Sequence, residues 1–296
     1  MDRYVLLEDR GIVTVAGEDR VSFLQGLISN DVAKVSPGRA AYSAFLTAQG
    51  KFLHDFFVID MGEMLALDCE RSRADDLKKR LSLYKLRSKV MLANVSDEYR
   101  VFAAFGPTVI EKLDLKEPGQ AKEYAGGIAY LDPRLRDMGV RVLLHGGLGE
   151  DPLIALGCVR ATLDDYHGLR IAKGLPDGSR DLPVEKAILL ENGFDELRGI
   201  DWDKGCYVGQ ELTARTKYRG LVRKRLMPVE VEGPLPASGT EIAFEGKEAG
   251  EMRSGQGRRA LALLRLEAVE KALAEGKKLT AGESKLTPIK PGWASF

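Results

Sequence analysis

The chain has 296 residues, of which 44% are apolar and 30% charged, a composition typical of a soluble globular protein with two or three domains. Its 44 basic residues balance its 44 acidic residues, so no overall field favours a nucleic acid or a membrane surface. No apolar run approaches the length of a membrane span, and segment 1–8 lacks the apolar core of a signal peptide. We therefore expect a cytoplasmic protein.

The cysteine pattern points to a reducing compartment and limits the metal chemistry of the chain. Cys69, Cys158 and Cys206 are widely spaced and form no CxxC pair. This excludes a self-contained four-cysteine site for zinc or an iron–sulfur cluster. Motifs of dinucleotide enzymes, P-loop proteins, zincins and α/β-hydrolases are also missing from the sequence.

The first part of the chain mixes strand and helix patterns. Two short apolar runs, 4–7 and 12–16, are predicted to form a β-hairpin. Helical spacing of Val21, Leu24 and Ile28 predicts a helix, for which Asp19 is a candidate N-cap. Further strands are predicted at 40–46, 52–60, 64–69, 90–95 and 100–105, with the first two of these paired.

A second helix is predicted after Ser72. This residue and Asp75 resemble a capping box, and an apolar stripe extends along the helix as far as Tyr84. Strands at 128–131 and 140–145 and a mostly helical stretch over 151–170 follow.

The rest of the chain changes character twice. Segment 174–205 has little periodicity, and such long irregular stretches in compact proteins are usually functional. From 222 onward, short alternating strands with glycine turns predict a small β-barrel or sandwich. We therefore predict an α+β protein with a region 1–220, built from two interleaved subdomains, and a β-barrel domain 221–296.

The run KGCYVGQE, residues 204–211, carries the strongest chemical signal. Cys206 lies between glycines that permit turns and close approach, and the nearby ammonium of Lys204 favours the thiolate. The thiol could act as a nucleophile, a redox group or one ligand of a metal centre shared with a partner. Glu211 is equally compatible with a structural and a functional role.

A basic run follows this motif. It is either a solvated strand face or an anion site for carboxylates, phosphate or RNA backbone. Its six cations are Arg215, Lys217, Arg219, Arg223, Lys224 and Arg225.

The KGCYVGQE run resembles the K-G-C-[FY]-x-G-Q-E signature of the YgfZ-like folate-binding proteins, which are relatives of the glycine-cleavage T-protein. Other pieces resemble the same family in the same order, so that the resemblance spans about the whole chain and is close to the mitochondrial assembly-factor branch. These pieces are FLQGLISNDV (23–32), LTAQGK (46–51), RIAKGLP (170–176), AR with the following RG (214–220) and ALALLRL (260–266).

The resemblance implies a three-domain T-protein-like fold around a central opening that holds tetrahydrofolate, and a role in assembling or repairing iron–sulfur proteins. Cys206, tuned by Lys204, would act with folate or with a protein partner. T-proteins carry an Asp-Asp pair where this chain has His54 and Asp55, which argues against glycine cleavage. The residues implied in cofactor binding are Glu185, for the pterin, and Asn30, Arg170, Arg215, Arg219 and Arg223.

Two other functions remain open at this stage. A tetrahydrofolate-dependent aminomethyl or one-carbon transferase would use Asp55 to meet the reacting amine. A tRNA-modification cofactor would use the basic run 215–225. We expect folate and iron–sulfur assembly or client proteins as partners, no direct nucleic-acid or membrane contact, and no tightly held metal in the isolated chain, with Cys206 as a possible shared cluster ligand.

Overall fold

The computed structural model describes residues 1–220 and 222–296 and divides into two compact units. The first unit comprises Met1–Ala48, Leu53–Leu163 and Leu197–Gln210, and the second comprises Gln49–Phe52, Asp164–Glu196 and Glu211–Phe296. The predicted barrel domain starts at Leu221, which lies outside the described residues. The predicted division into 1–220 and 221–296 stays a prediction.

Two antiparallel sheets form most of the first unit. The strands are β1 (Arg3–Leu6), β2 (Arg10–Ala16), β3 (Ala41–Leu46), β4 (Phe52–Asp60), β5 (Met64–Glu70), β6 (Met91–Asn94), β7 (Tyr99–Phe105), β8 (Ala121–Tyr124), β9 (Gly127–Leu131), β10 (Val140–His145) and β11 (Val159–Arg160). One sheet has the strand order β3-β4-β5-β2-β6 and the other the order β11-β1-β7-β10-β9-β8. The predicted pairing of 40–46 with 52–60 is confirmed, and only the short contact between β1 and β11 is parallel.

The predicted hairpin of 4–7 and 12–16 is wrong, because its two strands belong to different sheets. β1 pairs with β7 and β11, whereas β2 pairs with β5 and β6. The buried guanidinium of Arg10 donates to Asp68 at 2.7 Å, which joins β2 to β5. Leu7 donates its backbone N–H to the carbonyl of Val101 at 2.8 Å. The backbone groups that a hairpin would pair are thus used by strands distant in sequence.

The helices of the first unit are α1 (Arg20–Gln25), α2 (Ala74–Ser82), α3 (Val109–Lys112) and α4 (Asp151–Ala155). Asp19 is the N-cap of α1 by position, but its carboxylate accepts the N–H of Lys89. The capping box at the start of α2 does not form, because the Ser72 hydroxyl donates to Glu70 at 3.0 Å. The predicted helix over 151–170 is interrupted by β11, which binds the edge of β1.

The second unit contains α5 (Leu163–Lys173), which begins one residue before it, α6 (Gly178–Asp181), most of α7 (Gln210–Tyr218), α8 (Leu266–Ala274) and a closed six-stranded barrel. The barrel confirms the predicted C-terminal β-barrel. Its strands are β12 (Lys224–Glu232), β13 (Glu241–Phe244), β14 (Lys247–Gln256), β15 (Arg259–Arg265), β16 (Leu279–Ala281) and β17 (Ser284–Pro288). Alternating side chains such as Val229, Ile242 and Leu264 fill its core.

Within the described residues, no helix combines the length and the apolar character needed to span a lipid bilayer.

Candidate functional site

The cysteine motif is held against the end of α1, in the first unit. Val208 donates its backbone N–H to the carbonyl of Gly26 at 3.2 Å. The ammonium of Lys204 donates to the carbonyls of Ile28 at 2.6 Å and Asn30 at 2.7 Å. The lysine therefore supplies donors to two carbonyls of the turn that follows α1. Two sequence motifs separated by more than 170 residues are therefore in direct contact.

Lys204 is buried, which is unusual for a lysine. Burial lowers the pKa of its ammonium to about 8, while the nearby carboxylates of Asp31 and Asp201 act in the opposite direction. The ring of Tyr207 lies 5.1 Å from the ammonium nitrogen and adds a cation–π contact. The structure shows the ammonium of Lys204 donating to backbone carbonyls. Its predicted stabilisation of the Cys206 thiolate stays a prediction.

Cys206 is exposed, in contrast to its neighbours Lys204 and Tyr207, which are buried. The two inward-facing residues anchor the segment while the thiol faces solvent. The other two cysteines are buried, and burial raises the pKa of Cys69 to about 12 and also raises that of Cys158. Cys206 is thus the accessible thiol among the three cysteines.

Asn30 fixes the turn that the cysteine motif binds. Its side-chain amide donates to the carbonyls of Tyr42 at 2.6 Å and Arg198 at 2.7 Å, and its side-chain oxygen accepts the N–H of Asp31 at 2.8 Å. The side chain predicted to bind the cofactor therefore joins the turn after α1 to β3 and to segment 197–210. This is a positioning role within the first unit.

Two further residues of this turn were not predicted. The buried hydroxyl of Ser29 donates to the carbonyl of Gly199 at 2.6 Å, and Lys34 forms an ion pair with Asp201 at 2.5 Å. Ser29 lies inside the FLQGLISNDV motif, so membership of the motif was the available signal. Lys34 lies outside every motif, and only the fold brings it to Asp201.

His54 and Asp55 lie side by side in β4, both buried. Asp55 accepts a hydrogen bond from the Tyr42 hydroxyl at 2.7 Å, and His54 lies 2.9 Å from Asp76. Burial, together with the charge of Arg73, lowers the pKa of His54 to about 4, so that it is neutral at physiological pH. A neutral histidine therefore precedes the buried carboxylate of Asp55 in β4.

Arg170 and Glu185 belong to the second unit, where their environments differ. The guanidinium of Arg170 is buried and donates to Asp181 at 2.7 Å and Ser254 at 2.8 Å. It holds α5, α6 and β14 together. Glu185 is exposed and has a left-handed backbone, with φ of 61°, which is uncommon for a non-glycine residue. Its N–H donates to Phe52 at 2.8 Å.

The basic run does not form one continuous surface. Lys224 pairs with Glu248 at 3.2 Å, and the buried Arg225 pairs with Glu196 at 2.7 Å. Arg215, on α7, and Arg219 and Arg223, after it, are exposed. Glu211 is exposed in the first turn of α7, a position that suits a carboxylate. One prediction for the basic run was a single strand face in solvent. In the structure the run is divided between the end of α7 and the first barrel strand, β12.

Comparison with known proteins first identifies the structural class of this protein. Residues 8–118 match the family described as the GCVT N-terminal domain, and residues 223–296 match the C-terminal beta-barrel domain of CAF17. The crystal structure of glycine cleavage system aminomethyltransferase T from Bartonella henselae superposes with a TM-score of 0.77 at 15% identity, covering 99% of this chain and 86% of that one. The protein has the aminomethyltransferase-like fold with a C-terminal β-barrel.

Sequence relatives then define the family. The mitochondrial iron–sulfur cluster assembly factor IBA57 of Mus musculus is 37% identical, covering 97% of this chain and 84% of the relative. The human protein of that name is also 37% identical, covering 87% of this chain and 76% of the relative. The chain belongs to the IBA57 family.

The prediction of a cytoplasmic protein is contradicted by these relatives, which are named as mitochondrial proteins. The inference rested on the lack of a long apolar run and of a secretory signal core, and these two features do not distinguish a protein of the cytosol from one of an organelle interior.

Proposed function

We propose that this protein is an accessory factor in iron–sulfur cluster assembly, in which Cys206 supplies one thiolate to a cluster shared with a protein partner. The observation that carries the proposal is the pairing of one exposed thiol with a rigidly held backbone. Lys204 and Val208 fix the segment on both sides of Cys206, while the thiol faces solvent. The names of the IBA57 relatives support the role in iron–sulfur cluster assembly.

A partner is required by the chemistry of the cluster. Cluster iron is held by several thiolates or imidazoles, and Cys69 and Cys158 are buried with their protons firmly bound. When Cys206 binds iron, its thiol proton passes to solvent and its sulfur occupies one coordination position. The remaining positions belong to the partner and to the bridging sulfides. The cluster is therefore cargo that the two proteins hold between them.

We further propose that the protein binds tetrahydrofolate. Folate carries a pterin whose N–H groups suit a carboxylate, and a glutamate tail whose carboxylates suit guanidinium groups. Glu185 is exposed and could bind the pterin, and the exposed Arg215, Arg219 and Arg223 could bind the tail. Asn30 and Arg170 use their side-chain donors in hydrogen bonds within the protein, so we assign each of them a structural role in its own unit rather than contact with folate.

The cluster proposal is tested by complementation with Cys206→Ser. We expect the variant to fold normally and to leave dependent iron–sulfur enzymes inactive in cells that lack the native protein. Asp203→Asn, a change at an exposed neighbour, is the control and should restore activity. Full activity with Cys206→Ser would exclude the proposed role of the thiol.

The folate proposal has a separate test. Tetrahydrofolate is titrated into the purified protein while the fluorescence of Trp202 and Trp293 is followed. We expect saturable binding that Glu185→Ala weakens and the adjacent, exposed change Lys186→Ala does not. The absence of saturable binding by the wild-type protein would remove folate from the proposal and leave the cluster role intact.

The transferase alternative is less well supported by the site. A one-carbon transferase needs Asp55 to reach the reacting amine, and Asp55 is buried and bound to Tyr42. Turnover of a methylamine-loaded carrier by the purified protein would favour this alternative.

A further inference from the structure

An exposed segment of the first unit combines apolar and basic side chains. It begins at the last residue of α2 and ends at the first residue of β6, and we call residues 82–91 the basic–apolar segment. Leu83 is 71% exposed, Leu86 89% and Met91 68%. From 77 to 96 the sequence contains six lysines or arginines and no acidic residue. Large apolar side chains that stay in solvent beside unbalanced charge are typical of a binding surface.

The cations of this segment and of the last turn of α2 are only partly neutralised. Arg80 pairs with Asp76 at 2.9 Å and Lys89 with Glu18 at 2.8 Å. Lys85 and Arg87 are exposed between the apolar residues. The local excess of positive charge therefore selects a surface that carries carboxylates.

The backbone holds the apolar residues outward. Leu86 has a left-handed conformation, with φ of 41°, which is rare for leucine. Lys89 donates its N–H to Asp19 at 2.7 Å, which ties the segment to the start of α1. The exposed leucines therefore lie on a turn with fixed connections.

A short series of contacts links this segment to the cysteine motif. The ring of Tyr84 packs edge-on against Phe45, with 5.9 Å between the ring centroids. Phe45 forms a β-bridge with Ile28, whose carbonyl accepts the ammonium of Lys204. The segment meets α1 near its start and the cysteine motif meets α1 at its end. Because α1 has six residues, these points are separated by about 9 Å along the helix.

We propose that the basic–apolar segment is a second docking point for the protein partner that shares a cluster with Cys206, and that the partner presents an acidic surface with apolar side chains. This inference rests on the proposed function. A single thiolate gives no orientation to a partner, whereas a second contact on the same unit fixes the approach of the cluster. A protein is a better candidate for this contact than a lipid membrane, because membrane-binding surfaces that combine basic and apolar residues are usually long amphipathic helices.

The first experiment compares two cross-linking positions in the full chain in cells. A photoreactive amino acid replaces Leu86, and in a separate sample a thiol-directed photo-cross-linker is attached to Cys206. We expect both positions to capture the same protein. Capture of different proteins from the two positions, or of none from Leu86, would overturn the inference.

The second experiment measures the affinity of the captured protein, once purified, for the full chain. We expect Leu83→Asn with Leu86→Asn to raise Kd about tenfold, as the loss of two apolar contacts at an interface does. Asparagine tolerates the left-handed backbone at 86, so the variant should fold. Lys85→Glu with Arg87→Glu should slow association and weaken its salt dependence. Leu148→Asn and Lys122→Glu, changes at exposed positions of the same unit, are the controls.

The two proposals fail in different ways. A wild-type Kd for the double leucine variant, together with loss of enzyme activation by Cys206→Ser, would exclude the docking surface and keep the cluster role. Wild-type activation by Cys206→Ser would exclude the cluster role. Binding to phosphatidylglycerol vesicles that the double leucine variant loses, with no change in partner affinity, would assign the segment to a membrane and overturn the inference.

Discussion

The buried ammonium of Lys204 offers a sharp test of how the cysteine motif is held. Lys204→Met keeps the approximate length of the side chain and removes its three donors. The carbonyls of Ile28 and Asn30 then lose their hydrogen bonds to the ammonium. Each unsatisfied acceptor costs about 1–3 kcal/mol, and the relief of no longer burying a charge offsets part of this. We expect the free energy of unfolding at neutral pH to fall by about 2 kcal/mol.

The pH dependence of stability gives this prediction a second, independent signature. The folded pKa of Lys204, about 8, lies below the ordinary value of 10.5. Between these two values the unfolded chain binds more protons than the folded chain, so the free energy of unfolding of the wild-type protein rises with pH. After allowance for partial screening by solvent, this rise is up to about 2 kcal/mol. Lys204→Met should lack it.

The assay is urea unfolding followed by tryptophan fluorescence across the alkaline range, for the wild type, Lys204→Met and the exposed control Lys122→Met. The difference between wild type and Lys204→Met should widen as pH rises, whereas the control should follow the wild type. A constant difference across this range would refute the reasoning, because it would mean that Lys204 titrates alike in the folded and unfolded chains.

Three further predictions follow from the same structure. A thiol reagent in excess should modify one cysteine in the native protein and three after unfolding in denaturant, because Cys69 and Cys158 are buried; rapid modification of a second thiol in the folded state would contradict this. Asn30→Ala should lower the free energy of unfolding by about 1–2 kcal/mol, since it removes hydrogen bonds to the part-buried carbonyl of Tyr42 and the exposed carbonyl of Arg198, and an unchanged urea midpoint would show that water replaces the amide. Arg170→Met should cost about 3–5 kcal/mol by leaving Asp181 buried without its cation, whereas Arg170→Met combined with Asp181→Leu should recover part of the loss in the same measurement.

Local patterns predicted many of the elements and the chemical centre of the site. The periodicity of the strands and the glycine turns of the last 75 residues indicated the barrel, because alternation and turn chemistry are properties of neighbouring residues. The KGCYVGQE run and the FLQGLISNDV run were identified as motifs for the same reason. Cys206 was selected because its sequence neighbours differ from those of Cys69 and Cys158, and the structure shows it to be the exposed thiol.

The partners of these motifs could be found only in the tertiary structure. The apolar pattern of residues 4–7 and 12–16 is equally compatible with a hairpin and with strands of two different sheets. Hydrogen bonds to partners distant in sequence, such as Val101 and Asp68, decide between these two arrangements. The basic run is contiguous in sequence, but Lys224 and Arg225 find acidic partners in the second unit while Arg215 stays exposed. Charge along a chain does not determine which side chains fold inward.

The sequence by itself determined which residues carry chemistry, since a thiol, its flanking glycines and its neighbouring cation are fixed by the order of the chain. The tertiary structure decided what those residues do for one another. It buries Lys204 against the carbonyls beyond α1 and leaves Cys206 in solvent, although only two positions separate them. The reason is that burial and hydrogen bonding depend on segments more than 170 residues apart, whose contact no local pattern encodes.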